Sequence, residues 1–298
     1  MELKRGLGSI AAGFLLLLPL LNSCENINQQ NNNKENLTEH LELNRMNDLW
    51  AAIETVIEVC ELTDGNGMPS NWRELVLGKV KTVTPIDSVF YDGNEIRFEL
   101  DFGTFQEAKA QGQLPDGRLR FGAISVRIDK YFKEIGSVAE IKFESPFGFS
   151  NDEDYTFQGE INLIRISQSK INVNLKSVSL SDDLEKELEF EGDLIYDCVT
   201  SAPNNKAWGN EYQLTGAFDM HQYEKSQLEI TTIVTVLSPL LRRLEAGCSN
   251  TPVSGKLDCK FNDETLTSNV DFDPFENQAC DNLVRITQKD NIFDFTVD

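Results

Sequence analysis

The sequence predicts a mainly β protein, an extended antiparallel sheet preceded by one N-terminal amphipathic helix. Three observations carry that expectation. Apolar side chains recur at spacings of three and four between Leu43 and Cys60, then at spacings of two from about residue 80 to the C-terminus. The polar residues between the alternating ones give each strand one solvated face, the mark of antiparallel sheets. A glycine opens several of the alternating runs, at Gly122, Gly159, Gly192, Gly216 and Gly255.

The elements follow in chain order. Lys4 and Arg5 precede an apolar stretch, Leu7 to Leu21, too short to span a bilayer comfortably and broken by Pro19. It ends in Leu21-Asn22-Ser23-Cys24, the layout of a bacterial lipoprotein signal peptide over residues 1–23. Cleavage before Cys24 would leave that cysteine as the lipid-attachment residue. A single acyl chain anchors only marginally, so the expected triacylated (palmitate-bearing) cysteine is what holds the chain to a membrane. Residues 24–36 are Asn- and Gln-rich, almost without apolar side chains, and read as a disordered tether.

Residues 37–63 carry the helix. Leu43, Met46, Leu49, Trp50, Ile53, Val56, Ile57 and Cys60 form one stripe, Asn44 or Asn47 is a plausible N-cap, and Asp64-Gly65-Asn66-Gly67 ends it. Residues 64–298 form the β domain, with two related modules at about 80–200 and 201–298. Ile96, Phe98, Leu100 and Phe102 alternate with Arg97, Glu99 and Asp101; Ile171, Val173 and Leu175 alternate with polar neighbours in the same way. The glycine-led strands recur at intervals of 37, 33, 24 and 39 residues, too irregular for a solenoid. Such glycines mark bulges or close backbone approach. A second echo pairs Asp101-Phe102-Gly103 with Asp271-Phe272-Asp273. Ser238 to Gly247 has an N-cap, a proline at N1 and a terminal glycine, and local rules make it a short helix.

Composition narrows function. Removing residues 1–23 takes away Glu2, Lys4 and Arg5 and leaves 25 basic against 48 acidic side chains, a net charge of −23. That argues against nucleic acid and anionic membrane surfaces as partners. Only His40 and His221 are histidines and no Cys-x-x-Cys pair occurs, so a His-rich metal site and a zinc ribbon have no support. No cofactor is implied. Asn151-Asp152-Glu153-Asp154 reads as a solvated hairpin tip rather than a calcium loop. Asp64-Gly65-Asn66-Gly67 lacks the glycine and closing glutamate of an EF-hand. Trp208 lies in a polar loop context and is a glycan-contact candidate.

Asp101-Phe102-Gly103-Thr104, then Leu114-Pro115-Asp116-Gly117-Arg118-Leu119-Arg120-Phe121-Gly122, resembles a block in lipoproteins of the Bacteroidota that have no assigned function. The closing Gly255-Lys256-Leu257, Val270-Asp271-Phe272 and Cys280-Asp281-Asn282 are similar to that group's C-terminal hairpin. The resemblance covers roughly residues 80–298. It implies a disulfide between Cys248 and Cys280, an outer-membrane address, and Asp87-Ser88-Val89 as a short O-glycosylation acceptor at Ser88. The expected role is a lipid-anchored cell-envelope protein, non-enzymatic and serving binding or structure. A glycan-binding surface protein or a carboxylate-dependent glycosidase is the alternative. Partners are the membrane, through the lipid, and a glycan or envelope protein. The surface and periplasmic faces both stay open.

Overall fold

The computed structural model describes residues 42–63, 82–87, 95–111, 119–149, 155–182, 186–201, 210–245, 248, 251–262 and 267–297. These build a mainly β molecule with one long N-terminal helix, α1 (Leu43–Glu61). Strands β1 (Thr82–Asp87) and β2 (Ile96–Gly103) precede a short helix, α2 (Phe105–Gln111). Then come β3 (Arg120–Ile128), β4 (Val138–Phe149), β5 (Tyr155–Arg165), β6 (Lys170–Asp182) and β7 (Lys186–Thr200). The chain continues through β8 (Glu211–Glu224), β9 (Gln227–Arg243), β10 (Ser254–Phe261), β11 (Thr267–Asp271), β12 (Leu283–Gln288) and β13 (Asn291–Thr296).

All thirteen described strands belong to one antiparallel sheet in which spatial order equals chain order. Hydrogen bonding is continuous through β7 and β8, on either side of residue 200. One face is apolar along every central strand: Phe98, Leu100 and Phe102 on β2, Ile161 and Leu163 on β5, Leu194 and Tyr196 on β7, Val234 and Leu240 on β9 are all buried. Four phenylalanines from β2, β4 and β5 interlock, with Phe143 and Phe147 stacked at 5.1 Å and Phe102 5.8 Å from Phe147.

This sheet cannot be flat. Arg120 on β3 donates to Thr55 Oγ1 of α1, and Arg242 on β9 pairs with Glu54, the adjacent helix residue. Strands β3 and β9 lie six positions apart, roughly 29 Å along a flat sheet. Two arginine side chains meet adjacent residues of one helix only if the sheet curls around it. Burial agrees. All residues from Met46 to Cys60 are buried, including Asn47, Asp48, Glu54 and Glu58. The expected apolar stripe is buried, and so is the opposite face from Met46 to Cys60. Asn44 and Asn47 lie inside the helix rather than capping it.

The glycines expected to open strands lie inside them and supply the curl. Gly122, Gly159, Gly192, Gly216 and Gly255 all have positive φ, and register shifts occur beside Gly122, Gly159, Gly216 and Gly255. A Cβ on Gly159 would lie 2.3 Å from the Ser177 carbonyl oxygen, and one on Gly216 2.4 Å from that of Asp193. Only glycine permits both the conformation and the approach. These bulges, aligned from strand to strand, bend the sheet along one line.

The helix expected over residues 238–247 is not formed up to Arg243, where β9 continues as strand. Leu240, Leu241, Arg242 and Arg243 pair with Leu214, Gln213, Tyr212 and Glu211 of β8. Two flanking strands override the local propensity, and Pro239 falls at the register shift, where the ladder does without its missing N–H. A helix that alternation did not announce, α2, is set by a capping box: Glu107 N–H donates to Thr104 Oγ1 at 3.2 Å, and Thr104 N–H to Glu107 Oε2 at 2.9 Å. Phe105 and Ala108 of α2 pack on Leu119 and Phe121.

The Asp-Phe-Gly and Asp-Phe-Asp echo is a structural one. Asp101 Oδ1 accepts from Gly103 N–H at 2.7 Å, and Asp271 Oδ1 from Asp273 N–H at 3.0 Å. Each aspartate closes a turn at the end of its strand and delivers a buried phenylalanine, Phe102 or Phe272, to the core.

Candidate functional site

Two polar assemblies stand out, one inside the curl and one on its outer face. Inside, Arg242 donates through Nε and NH2 to the two carboxylate oxygens of Glu54 at 2.6 and 3.0 Å. Both side chains are nearly inaccessible, at 0% and 3% exposure. The guanidinium lies 5.5 Å from the Trp50 ring centre. The Tyr196 hydroxyl is held well above its ordinary pKa by burial, with the Glu54 charge adding to the effect. Arg165, from β5, pairs with Glu61, donates to the Phe132 carbonyl and stacks over the Phe132 ring at 4.7 Å. At the start of the helix Arg45 lies 3.2 Å from the Tyr155 ring centre. Each contact joins α1 to a different part of the sheet, so this interior is a fastening.

The outer assembly is a groove. Lys142, Phe143 and Glu144 of β4, Gly159 and Glu160 of β5, and Lys176 and Ser177 of β6 line a volume of about 410 Å³. The register sets Lys142 opposite Glu160 and Glu160 opposite Lys176, a row of alternating charge across three strands. Lys176 Nζ is 3.5 Å from Glu160 Oε1. Asn162, with its amide turned to satisfy both neighbours, donates to Glu160 Oε1 at 3.3 Å and accepts from Lys176 Nζ at 2.5 Å. Ser125 donates to Glu144 at 2.9 Å, and Ser177 to Glu191 at 3.1 Å. Lys142 is exposed and has no ion-pair partner among the described residues. Gly159, the bend residue, contributes bare backbone to the groove wall.

No protein-family model, curated protein or solved structure matches this chain. The groove and the fastened helix are therefore read on their own chemistry.

Of the residues singled out in the sequence, Cys248 and Cys280 are disulfide-bonded, with Cα atoms 4.6 Å apart. Their bridge ties the segment after β9 to the connection between β11 and β12. Glu245 lies close to both sulfurs, but a bridged pair offers no thiolate to a metal. Cys60, Cys198 and Cys259 are free; burial raises all three thiols, Cys259 to about 12. His221, on β8, shares a hydrogen bond with Thr231 of β9 at 3.0 Å. Cys24, the signal peptide, the tether, His40, Asp64–Gly67, Ser88, Asn151–Asp154 and Trp208 lie outside the described residues.

Sequence reasoning missed the inward arginines and the groove. A signal for the arginines was present: Leu240-Leu241-Arg242 and Leu163-Ile164-Arg165 place arginine on the same parity as the apolar residues. The groove left no such trace, because its residues meet only through strand register.

Proposed function

We propose that this chain is a lipid-anchored protein of the bacterial cell envelope with a non-enzymatic binding role, held to the outer membrane through Cys24. The observation that carries the anchoring is Leu21-Asn22-Ser23-Cys24 behind a short apolar run and two basic residues. No helix among the described residues is long and apolar enough to cross a membrane.

A binding role, rather than catalysis, is favoured by the state of the groove carboxylates. Glu144 accepts from Ser125, and Glu160 is paired with Lys176 on an open surface. A general acid for glycoside hydrolysis needs an apolar, water-excluded setting, which neither has.

Growth with an alkyne-bearing palmitate analogue tests the anchoring. The wild-type chain should take up the label and fractionate with the outer membrane. Cys24→Ala should lose both label and membrane association. Unlabelled wild-type protein, or a Cys24→Ala variant still firmly in the membrane fraction, would refute the anchor. Protease shaving of intact cells would then separate a surface from a periplasmic disposition.

A further inference from the structure

We infer that the outer-face groove across β4, β5 and β6 is a binding site for a neutral, polyhydroxylated chain, an oligosaccharide without ionised groups. The inference rests on the binding reading above and names its ligand.

The charge balance argues first. Lys142 and Lys176 oppose Glu144 and Glu160, so the groove presents equal numbers of each sign within one small volume. A polyanion is further disfavoured by the net charge of −22 on the whole chain, whose field repels it. A polycation would meet the two lysines that flank Glu160. A neutral ligand meets neither penalty.

Hydrogen-bonding chemistry argues next. Each sugar hydroxyl both donates and accepts. An ammonium beside a carboxylate therefore satisfies one hydroxyl twice, and neighbouring hydroxyls on a ring can share the two oxygens of a carboxylate. The row Lys142, Glu160, Lys176 repeats that donor-acceptor alternation across the strands. Glu160 is already fixed by Lys176 and Asn162, and Glu144 by Ser125, so little side-chain freedom is lost on binding. Lys142, exposed and without an ion-pair partner among the described residues, supplies a further donor.

Shape argues third. The volume of about 410 Å³ falls in the range of small-ligand sites, and the groove is open along its top. Because Gly159 brings no side chain, the wall there is backbone, and the bend keeps strands β5 and β6 close together: the Gly159 Cβ position lies 2.3 Å from the Ser177 carbonyl. The site is therefore built into the curvature of the sheet, on rigid strands rather than a loop.

The test uses the full mature chain in detergent and titration calorimetry. Probes are linear neutral hexasaccharides of glucose, mannose and xylose, with an oligouronate and an oligoglucosamine as charged comparisons. One neutral series should bind saturably. Lys142→Ala and Glu160→Gln should each weaken it by about tenfold, while Lys260→Ala, on β10, should leave it unchanged. Lys142→Ala breaks no described ion pair, so its melting temperature should match wild type and its loss of affinity cannot be blamed on unfolding. Neutral binding that ignores both groove substitutions would overturn the site. Binding of a charged oligomer alone, lost in the groove variants, would overturn the ligand class and keep the binding reading. No binding to any probe would overturn this inference and leave the anchoring to its own labelling test.

Discussion

Arg242 shows what a single side chain does in this molecule. It sits at an apolar register position of β9, fully buried, and its guanidinium makes a forked contact to Glu54, 188 residues earlier. Removing one partner of such a pair leaves a buried charge and costs about 3–5 kcal/mol. Glu54→Gln is expected to lower stability by that amount in urea unfolding. The joint replacement Glu54→Leu with Arg242→Met should recover most of the loss, because an apolar pair of similar volume avoids the desolvation of both charges. A Glu54→Gln variant as stable as wild type would show that the pair does not fasten the helix. The thiols make a second prediction at this scale. Burial raises Cys60 and Cys259, the latter to about 12, and both are inaccessible, whereas Cys198 is only half-buried. A thiol reagent at pH 8 should therefore reach Cys198 in the folded chain and the other two only after denaturation.

At the scale of elements, the bend line and the disulfide set the shape. Gly216→Ala would need a Cβ 2.4 Å from a neighbouring backbone oxygen in a conformation of positive φ. More than about 3 kcal/mol of destabilisation is expected, read as a falling denaturation midpoint. A near-neutral effect would mean that the curl does not depend on the glycine. Cys280→Ser opens a bridge across 32 residues and should cost about 3.7 kcal/mol on the chain-entropy account, measured by the same unfolding curves.

The strands and their glycines were legible in the sequence because period-two alternation survives whatever the sheet wraps. The all-round burial of α1 was not. Asp48, Glu54 and Glu58 look like a solvent face, and Arg242, which pairs with Glu54, lies beyond any local window. Residues 238–243 misled for the converse reason: their local signals are helical, and the pairing that overrides them involves β8 and β10. The capping box at Thr104 and Glu107 was readable and marks the start of α2. The groove was not, since Lys142, Glu160 and Lys176 become neighbours only once the hairpins fix their register.

At the scale of the whole molecule, charge governs the response to pH. Glu211 is held below its ordinary value of 4.5 by the Thr200 hydroxyl and then by Arg243. A carboxylate lowered by folding stabilises above its unfolded value and loses that contribution as pH falls through the folded one. Glu211 is partly open to solvent, so screening keeps its share under about 1 kcal/mol. The stability gap between wild type and Glu211→Gln should thus be present at pH 7, begin to shrink as pH falls through the ordinary carboxylate value, and be lost once pH passes below the lowered folded one. A gap that widens in acid would reverse the assignment.

The sheet's unbroken order, in which every strand lies beside its predecessor, also bears on how the molecule comes into being. A chain emerging from its N-terminus delivers α1 first, and each later strand finds its template already laid down. Hairpin closure is local and quick, while the clasp of Arg242 on Glu54 must wait for nine strands. The helix then serves as a mandrel on which the sheet is wound, and the Cys248–Cys280 bridge locks the last turns only when winding is nearly complete.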